Sequence, residues 1–176
     1  MDHENSELWV FGYGSLMWRP GFDYVERVSA KLIGLHRSLC VYSHVHRGTP
    51  ERPGLVLGLD RGGACRGIAY RVAGEKRAAT IAYLREREQV TSVYLEVFRR
   101  VTLERPGSPA VRAVTYVVDR GHTQYAGRLS LDQQLHIVRQ GHGQSGANPD
   151  YVKNTVQSIE DQGFRDAGLH WLAARL

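Results

Sequence analysis

The sequence predicts an α+β domain in which a curved or closed, largely antiparallel sheet is covered by helices. Short β-like runs fill the first two fifths of the chain, and segments with a helical spacing of apolar residues fill the last third. The chain has 176 residues, 42% of them hydrophobic, which is enough for one compact core. We therefore expect a single domain over residues 1–176.

The first part of the chain contains five β-like runs, separated by glycine and proline signals such as RGTPERPG and DRGG. The predicted strands are Leu8–Gly12, Val25–Leu35, Ser38–Ser43, Gly54–Asp60 and Arg66–Val72. Because turns of this kind reverse the chain between neighbouring strands, we expect these strands to be antiparallel.

The next segment, Glu75–Gln89, is predicted as a helix because it contains no Gly or Pro and repeats its apolar residues at helical spacing. Two further strands, Val93–Leu103 and Val111–Val118, are separated by the turn-forming ERPGSP. Two amphipathic helices follow. Their apolar faces are formed by Leu131, Leu135 and Val138 in the first and by Val152, Val156 and Ile159 in the second.

The second of these helices opens at NPD, a cap and first-turn signal, and the glycine-rich HGQSGAN between the two helices predicts a loop.

The charge and cysteine content limit the partners and the compartment. Lys and Arg number 23 against 18 Asp and Glu, a formal net charge of +5, which favours an anionic partner such as a carboxylate substrate or nucleic acid. The start MDHENSE lacks the basic and apolar segments of an export signal, and no apolar run approaches the roughly 18 residues of a membrane span. We expect a soluble cytoplasmic protein, with Cys40 and Cys65 as free thiols buried in strands.

The stretch VFGYGSLMW, Val10–Trp18, places two glycines, a tyrosine and a serine at the end of the first predicted strand. It lacks the third glycine and the helix of a dinucleotide fingerprint, the Gly-Lys-Ser/Thr of a phosphate loop, and the glycines that a nucleophile elbow needs around Ser15. Gly12 and Gly14 let the chain bend and a ligand approach, with amide N–H groups near Ser15 able to hold an anion. An ordinary glycine turn is the alternative, and the spacing alone favours it.

Two other patterns have a chemical and a structural interpretation. His44 and His46 lie two apart near a strand end, as in some metal sites, but no cysteine or histidine spacing supplies further ligands, so hydrogen bonds from this segment to the following loop are favoured. Ser145 lies in GQSGA, which is one residue from a hydrolase elbow. It follows a helical pattern where that elbow needs a strand, so we interpret it as a loop residue.

Glu86 and Glu88 differ in the helix face that they occupy. Glu88 lies four residues after Leu84 on an apolar face, whereas Glu86 points elsewhere and is predicted to face solvent. A carboxylate on an apolar face is a candidate for a raised pKa and for proton transfer. An ion pair of Glu88 with Arg85 or Arg87 is the alternative, and the residues alone favour it.

Four stretches resemble the ChaC-like γ-glutamylcyclotransferases in the same order along the chain. They are FGYGSLMW (Phe11–Trp18), the segment His36–Val72, YLREREQV (Tyr83–Val90) and GQSGANPDYV (Gly143–Val152). The resemblance implies a small mixed, largely antiparallel β-barrel with flanking helices. It also implies cleavage of the γ-glutamyl amide of glutathione to 5-oxoproline and cysteinylglycine, without metal or organic cofactor.

The resemblance also implies roles for six residues. Tyr13, Gly14, Ser15 and Leu16 would bind the γ-glutamyl group through main-chain groups. Glu88 would be the catalytic acid/base, in agreement with the helix-face argument, and Tyr151 would line the substrate pocket. Gln89 and Val90 depart from the glycine pair that many relatives carry nearby, which leaves the contacts to the leaving amine undetermined.

Three alternatives stay open from the sequence. A nucleic-acid-binding module would explain the positive charge, but no clustered basic strip with interleaved aromatics accompanies it, so we expect no nucleic-acid partner. A non-catalytic regulatory protein on the same fold would not need a half-buried acid. A cyclotransferase acting on other γ-glutamyl amino acids or amines would share the same site residues, and the oligomeric state is undetermined.

Overall fold

The structure, a computed structural model, describes residues 6–89 and 91–176. Val90 and the first five residues, which belong to the YLREREQV and MDHENSE stretches discussed above, lie outside the described residues. The chain divides into two compact units. The first consists of Met1–Arg37 and Leu59–Val117, and the second of Ser38–Gly58 and Val118–Leu176.

Five strands close into a barrel in the order β1-β3-β2-β4-β5, which confirms the predicted fold class. The strands are β1 (Leu8–Gly12), β2 (Glu26–Ser43), β3 (Gly54–Val72), β4 (Tyr94–Leu103) and β5 (Ala110–Val118). β1 is antiparallel to β3 and β2 is antiparallel to β4, as expected. β1 also pairs in parallel with β5, so the barrel is mixed.

β2 and β3 are each one long strand where the sequence predicted two. The predicted DRGG turn lies inside β3, where Gly62 and Gly63 adopt φ values of 103° and 65°. Glycine takes such positive φ values without a steric penalty, so the pair bends the strand without ending it. The bend packs on β2, because a Cβ on Gly63 would lie 3.3 Å from the Cβ of His36.

The end of β1 packs closely against β3. A Cβ added to Gly67 would lie 2.3 Å from the carbonyl oxygen of Gly12, and one added to Gly12 would lie 2.8 Å from the Cβ of Leu16. Side chains at either glycine would separate the strands or open the turn that follows. These two glycines therefore fix where the chain leaves the barrel after β1.

The helix of the first unit, α1, runs over Arg77–Glu88, slightly shorter than the predicted Glu75–Gln89. A 3₁₀ turn at Gly74–Lys76 precedes it. Thr80 and Leu84 are the buried residues of the helix. Because α1 ends at Glu88, this residue lies in its last turn.

The helices of the second unit are α2 (Leu131–Gln140), α3 (Asn148–Asp161) and α4 (Ala167–Ala173). The first two confirm the predicted amphipathic helices, and α4 was not predicted. Ser130 and Gln133 form a capping box at the start of α2. The glycine-rich loop contains the short strands β6 (His142–Gly143) and β7 (Gly146–Ala147), which pair antiparallel.

Within residues 6–89 and 91–176, the structure contains no helix with the length and apolar character needed to cross a membrane.

Candidate active site

The turn that follows β1 contains the predicted substrate-binding residues Tyr13, Gly14, Ser15 and Leu16, here called the YGSL turn. Its closing hydrogen bonds are donated by the amides that follow: Met17 N to Gly14 O at 2.9 Å, and Trp18 N and Arg19 N to Ser15 O at 3.2 and 2.7 Å. The amides of Gly14, Ser15 and Leu16 take no part in these bonds. Consecutive amides in such a bend can bind an anionic group.

Two side chains from the barrel hold the YGSL turn through its carbonyl oxygens. Arg37 donates from Nε to Tyr13 O at 2.6 Å. The buried Tyr70 hydroxyl lies 2.7 Å from Leu16 O and 2.9 Å from Met17 O and donates to this pair. These bonds end on carbonyl oxygens and use none of the amide N–H groups of the turn.

Glu88 lies on the buried side of α1. Its side chain is 19% exposed, and Leu84, one turn earlier on the same face, is fully buried. Glu86 is exposed, which confirms the predicted difference between the two acids. Burial raises the pKa of the Glu88 carboxyl above its ordinary value, and the positive charge of Arg87 opposes this rise.

Arg87 connects Glu88 with the YGSL turn. Its Nε lies 3.5 Å from Glu88 Oε1, and its Nη2 donates to Ser15 Oγ at 2.9 Å. The structure therefore places the predicted acid/base and the predicted binding turn in contact with one guanidinium group. The ion pair that the residues alone favoured for Glu88 is present as well, with Arg87 and not with Arg85.

Arg85, an exposed residue of α1, is linked to a separate pair of side chains on the barrel strands. It donates to both carboxylate oxygens of Glu96 on β4, at 3.1 and 2.9 Å. Tyr116 on β5 donates its hydroxyl to Glu96 Oε1 at 2.8 Å. Arg85, chiefly through these hydrogen bonds, lowers the pKa of Glu96, whereas burial and the carboxylates of Glu96 and Glu88 keep the Tyr116 hydroxyl protonated.

Tyr151 belongs to the second unit. Its hydroxyl accepts a hydrogen bond from Leu57 N at 3.0 Å, and the Arg47 guanidinium lies 5.6 Å from the centre of its ring. Burial raises the pKa of Tyr151 to about 12, so the hydroxyl is neutral at physiological pH. These contacts attach α3 to β3, and the pocket role of Tyr151 stays a prediction.

The histidine and serine patterns have structural partners. His46 Nδ1 lies 2.9 Å from Ser145 Oγ, and Arg47 Nη1 donates to Ala147 O at 3.1 Å. These bonds reach the loop between α2 and α3. The sequence had predicted bonds to the loop that directly follows His46. The His44 ring stacks on Tyr42. Among the described residues, no three His, Cys, Asp or Glu side chains form a group that could hold a metal ion.

Ser145 lies in the turn between β6 and β7, and not between a strand and a helix. This position agrees with its interpretation as a loop residue, because a nucleophile elbow needs a strand that leads directly into a helix.

Both cysteines are free thiols, as predicted. Cys40 lies in β2 and Cys65 in β3, and both are buried.

The raised pKa of Glu88 predicts a pH-dependent cost to stability. A carboxyl whose pKa is higher in the folded than in the unfolded state lowers the free energy of unfolding as the pH rises from the unfolded-state pKa to the folded-state pKa. At pH values above both pKa values, the whole of this loss of stability is present. We expect Glu88→Gln to raise the free energy of unfolding at neutral pH, and to lose this advantage below the ordinary pKa of glutamate. Urea unfolding of both proteins across this pH range measures it, and a pH-independent difference would contradict the burial argument.

Sequence reasoning named Arg87 only as a possible ion-pair partner of Glu88, and it missed the bonds of Arg87 to the segment after β1 as well as the roles of Arg37 and Tyr70. The partners of Arg87 in the segment after β1 lie 67 to 72 positions earlier in the chain. The helical spacing from Tyr83 to Arg87 was visible in the sequence, and these two side chains do meet, at 3.1 Å between Arg87 Nη1 and the Tyr83 hydroxyl. The contacts across the fold carry no local signal.

The barrel and this site define a known class of protein. The chain matches the family model described as ChaC-like protein over residues 8–175 and belongs to that family.

Curated relatives cover most of the chain. It is 30% identical over 167 residues to the glutathione-specific γ-glutamylcyclotransferase of Escherichia coli, covering 95% of this chain and 71% of that protein. It is 33% identical over 156 residues to glutathione-specific γ-glutamylcyclotransferase 1 of Homo sapiens, covering 86% and 69%. The fold is similar to the crystal structure of the yeast γ-glutamylcyclotransferase specific to glutathione, with a TM-score of 0.82, 23% identity and coverage of 97% and 95%.

Proposed function

We propose that this protein is a glutathione-specific γ-glutamylcyclotransferase that cleaves glutathione to 5-oxoproline and cysteinylglycine. The observation that carries the proposal is the similarity, over 86 to 95% of the chain, to bacterial and vertebrate proteins with that name. The partly buried acid beside an anion-binding turn supports it independently, because a regulatory module on the same fold has no need of such an acid.

The reaction needs no nucleophile from the protein. The α-amine of the γ-glutamyl group attacks its own δ-carbonyl carbon, so a C–N bond closes the five-membered ring of 5-oxoproline. The amide bond to the cysteine nitrogen breaks, and cysteinylglycine leaves with that nitrogen as an amine. The attacking nitrogen loses two protons as it changes from an ammonium to a lactam N–H. One acid/base can carry the first to the leaving nitrogen, which becomes an amine, and can then remove the second, which passes to that amine or to solvent.

Glu88 is the residue that we assign to this proton transfer. As a carboxylate it takes a proton from the α-ammonium, and as the acid it returns the proton to the departing nitrogen. Such a group works best when its pKa lies near the working pH. Burial of the Glu88 side chain raises its pKa toward neutrality, which suits it to both steps.

The YGSL turn is the site that we assign to the γ-glutamyl group. Amides of Gly14, Ser15 and Leu16 would hold the α-carboxylate or the oxyanion that forms at the δ-carbon. Either contact would keep the flexible γ-glutamyl chain folded with its amine near the carbonyl. Orienting an intramolecular attack in this way can be worth effective molarities of about 10⁵ M or more, so positioning is the largest contribution expected.

Tyr151 keeps the pocket role implied by the family resemblance, as part of this proposal. The proton transfer above uses amino-acid side chains alone, so we propose a mechanism without cofactor. We also propose a cytoplasmic location, because glutathione keeps thiols reduced in that compartment and both cysteines of the chain are free.

The proposal is tested by measuring release of 5-oxoproline from glutathione, γ-glutamylalanine and γ-glutamyl-lysine at one concentration. We expect glutathione to be the fastest substrate by at least about tenfold, since a site that binds the whole leaving dipeptide discriminates through each contact to it.

Faster release from γ-glutamylalanine or γ-glutamyl-lysine would replace the glutathione assignment by cyclotransfer on other γ-glutamyl compounds. Absence of 5-oxoproline from all three substrates would contradict the enzymatic proposal as a whole.

A further inference from the structure

Arg87 binds the segment after β1 at more than one point. Its Nη1 donates to the carbonyl oxygens of Arg19 and Pro20 at 2.6 and 3.0 Å, in addition to the bond from Nη2 to Ser15 Oγ. These acceptors lie at both ends of a six-residue segment. One planar side chain therefore fixes the length and orientation of the chain between them.

The position of the guanidinium is itself fixed by α1. The hydroxyl of Tyr83, one turn earlier, accepts from Arg87 Nη1 at 3.1 Å. The same hydroxyl closely contacts Gly21, whose φ is +75°, and a Cβ on Gly21 would lie 2.0 Å from it. The segment Ser15–Gly21 and the last two turns of α1 thus interlock at Tyr83 and Arg87.

A lysine could not make the same contacts. The guanidinium uses all three of its nitrogens, with Nε toward the carboxylate of Glu88 and Nη1 and Nη2 toward the acceptors in Ser15–Pro20, and it presents its five N–H donors in a rigid fork. A lysine ammonium keeps the charge but approaches these groups as a single point. Lysine and glutamine at position 87 therefore separate the geometry of this side chain from its charge.

We propose that Arg87 is a positioning residue that sets the distance between the bound γ-glutamyl group and Glu88 by tying the Ser15–Pro20 segment to the end of α1. The inference rests on the proposed function, in which the YGSL turn binds the substrate and Glu88 transfers the proton. Because the same segment binds the substrate and reacting groups must be placed within fractions of an ångström, loosening this connection both weakens binding, which raises KM, and lowers the rate, without removing any reacting group.

The charge of Arg87 adds a separate effect on Glu88. Among the described residues, the charged and titratable groups that face the Glu88 carboxyl are Arg87 on α1 and the neutral Tyr116 hydroxyl on β5, the latter bonded to the ion pair of Glu96 with Arg85. Arg87 favours the carboxylate, so its loss raises the pKa of Glu88 further. The acid limb of the pH profile of kcat/KM, which reports a base in the free enzyme, then moves to higher pH.

The test compares Arg87→Lys and Arg87→Gln with the parent protein, measuring kcat and KM for glutathione across the acid limb. Arg100→Gln, the same charge change at an exposed position of β4, is the control and is expected to match the parent. We expect both Arg87 variants to lose about tenfold or more in kcat/KM with a raised KM. Arg87→Gln alone is expected to shift the acid limb upward.

A merely structural role predicts a different result. Partial unfolding would reduce the amount of active enzyme, lowering kcat while leaving KM and the acid limb unchanged, and this pattern in the Arg87 variants would overturn the proposal. Parent-like kinetics would also overturn it. A parent protein without 5-oxoproline release would instead contradict the proposed function.

Tyr83→Phe keeps the proposal testable if neither Arg87 variant folds. It removes only the hydroxyl that accepts from Arg87, and we expect a several-fold rise in KM for glutathione with the acid limb unchanged. In that case, an unchanged KM in a folded Tyr83→Phe protein would contradict the positioning role.

Discussion

Replacing Glu88 by glutamine is expected to abolish 5-oxoproline release from glutathione in a protein that folds normally. The side chain keeps its size, but an amide can neither take the proton from the attacking ammonium nor return it to the leaving amine. Positioned acid/base groups contribute about 10²- to 10⁴-fold to a rate, and here one residue carries both proton transfers. We therefore expect a loss at or beyond the upper end of this range, measured as kcat with the fold checked by circular dichroism.

Glu86→Gln is the matched control for this prediction. It makes the same chemical change two residues earlier on the same helix, where the side chain is exposed. We expect activity close to that of the parent. An equal loss in Glu86→Gln, or near-normal turnover in Glu88→Gln, would remove Glu88 from the mechanism.

The difference between these two acids could be predicted because helix geometry is local. Leu84 and Glu88 are four residues apart, so once Leu84 is assigned to the core, Glu88 must lie near the same face. The structure confirms this arrangement, with Leu84 fully buried and Glu88 mostly so. The alternation of residues that predicted β1 and β5 is likewise a pattern between near neighbours in the sequence.

The continuity of the long strands could not be predicted from such local patterns. A glycine pair in a sequence indicates a turn, but Gly62 and Gly63 bend β3 without ending it. Whether a bend ends a strand depends on the partner across it, here β2 at His36, which is 26 positions away. The role of Arg87 was hidden for the same reason, because its acceptors are contributed by a distant segment.

The motif GQSGANPDYV, Gly143–Val152, which the family resemblance linked to the site, also stabilises the fold. The NPD signal correctly predicted the start of α3, but Asn148 does not cap the helix with its side chain. Its Oδ1 accepts from Leu55 N at 2.8 Å and its Nδ2 donates to Leu55 O at 2.9 Å. Tyr151, three residues later, accepts from Leu57 N. One face of α3 thus satisfies alternate residues of β3.

Asn148 is enclosed within the second unit. The residue is fully buried, and a Cβ on Gly141 would lie 2.8 Å from the Asn148 Cβ. A Cβ on Gly54 would lie 2.9 Å from Asn148 Oδ1. The Asn148 side chain is therefore closely surrounded and shielded from water that could pair with Leu55.

Asn148→Ala is therefore expected to lower the free energy of unfolding by about 2–6 kcal/mol, since it leaves both backbone groups of Leu55 buried and unpaired at about 1–3 kcal/mol each. Asn154→Ala, the same change at an exposed position of α3, controls for the better helix propensity of alanine and is expected to be neutral or slightly stabilising. Urea unfolding of the two variants measures the difference. Equal stabilities would mean that the bonds to Leu55 contribute nothing net.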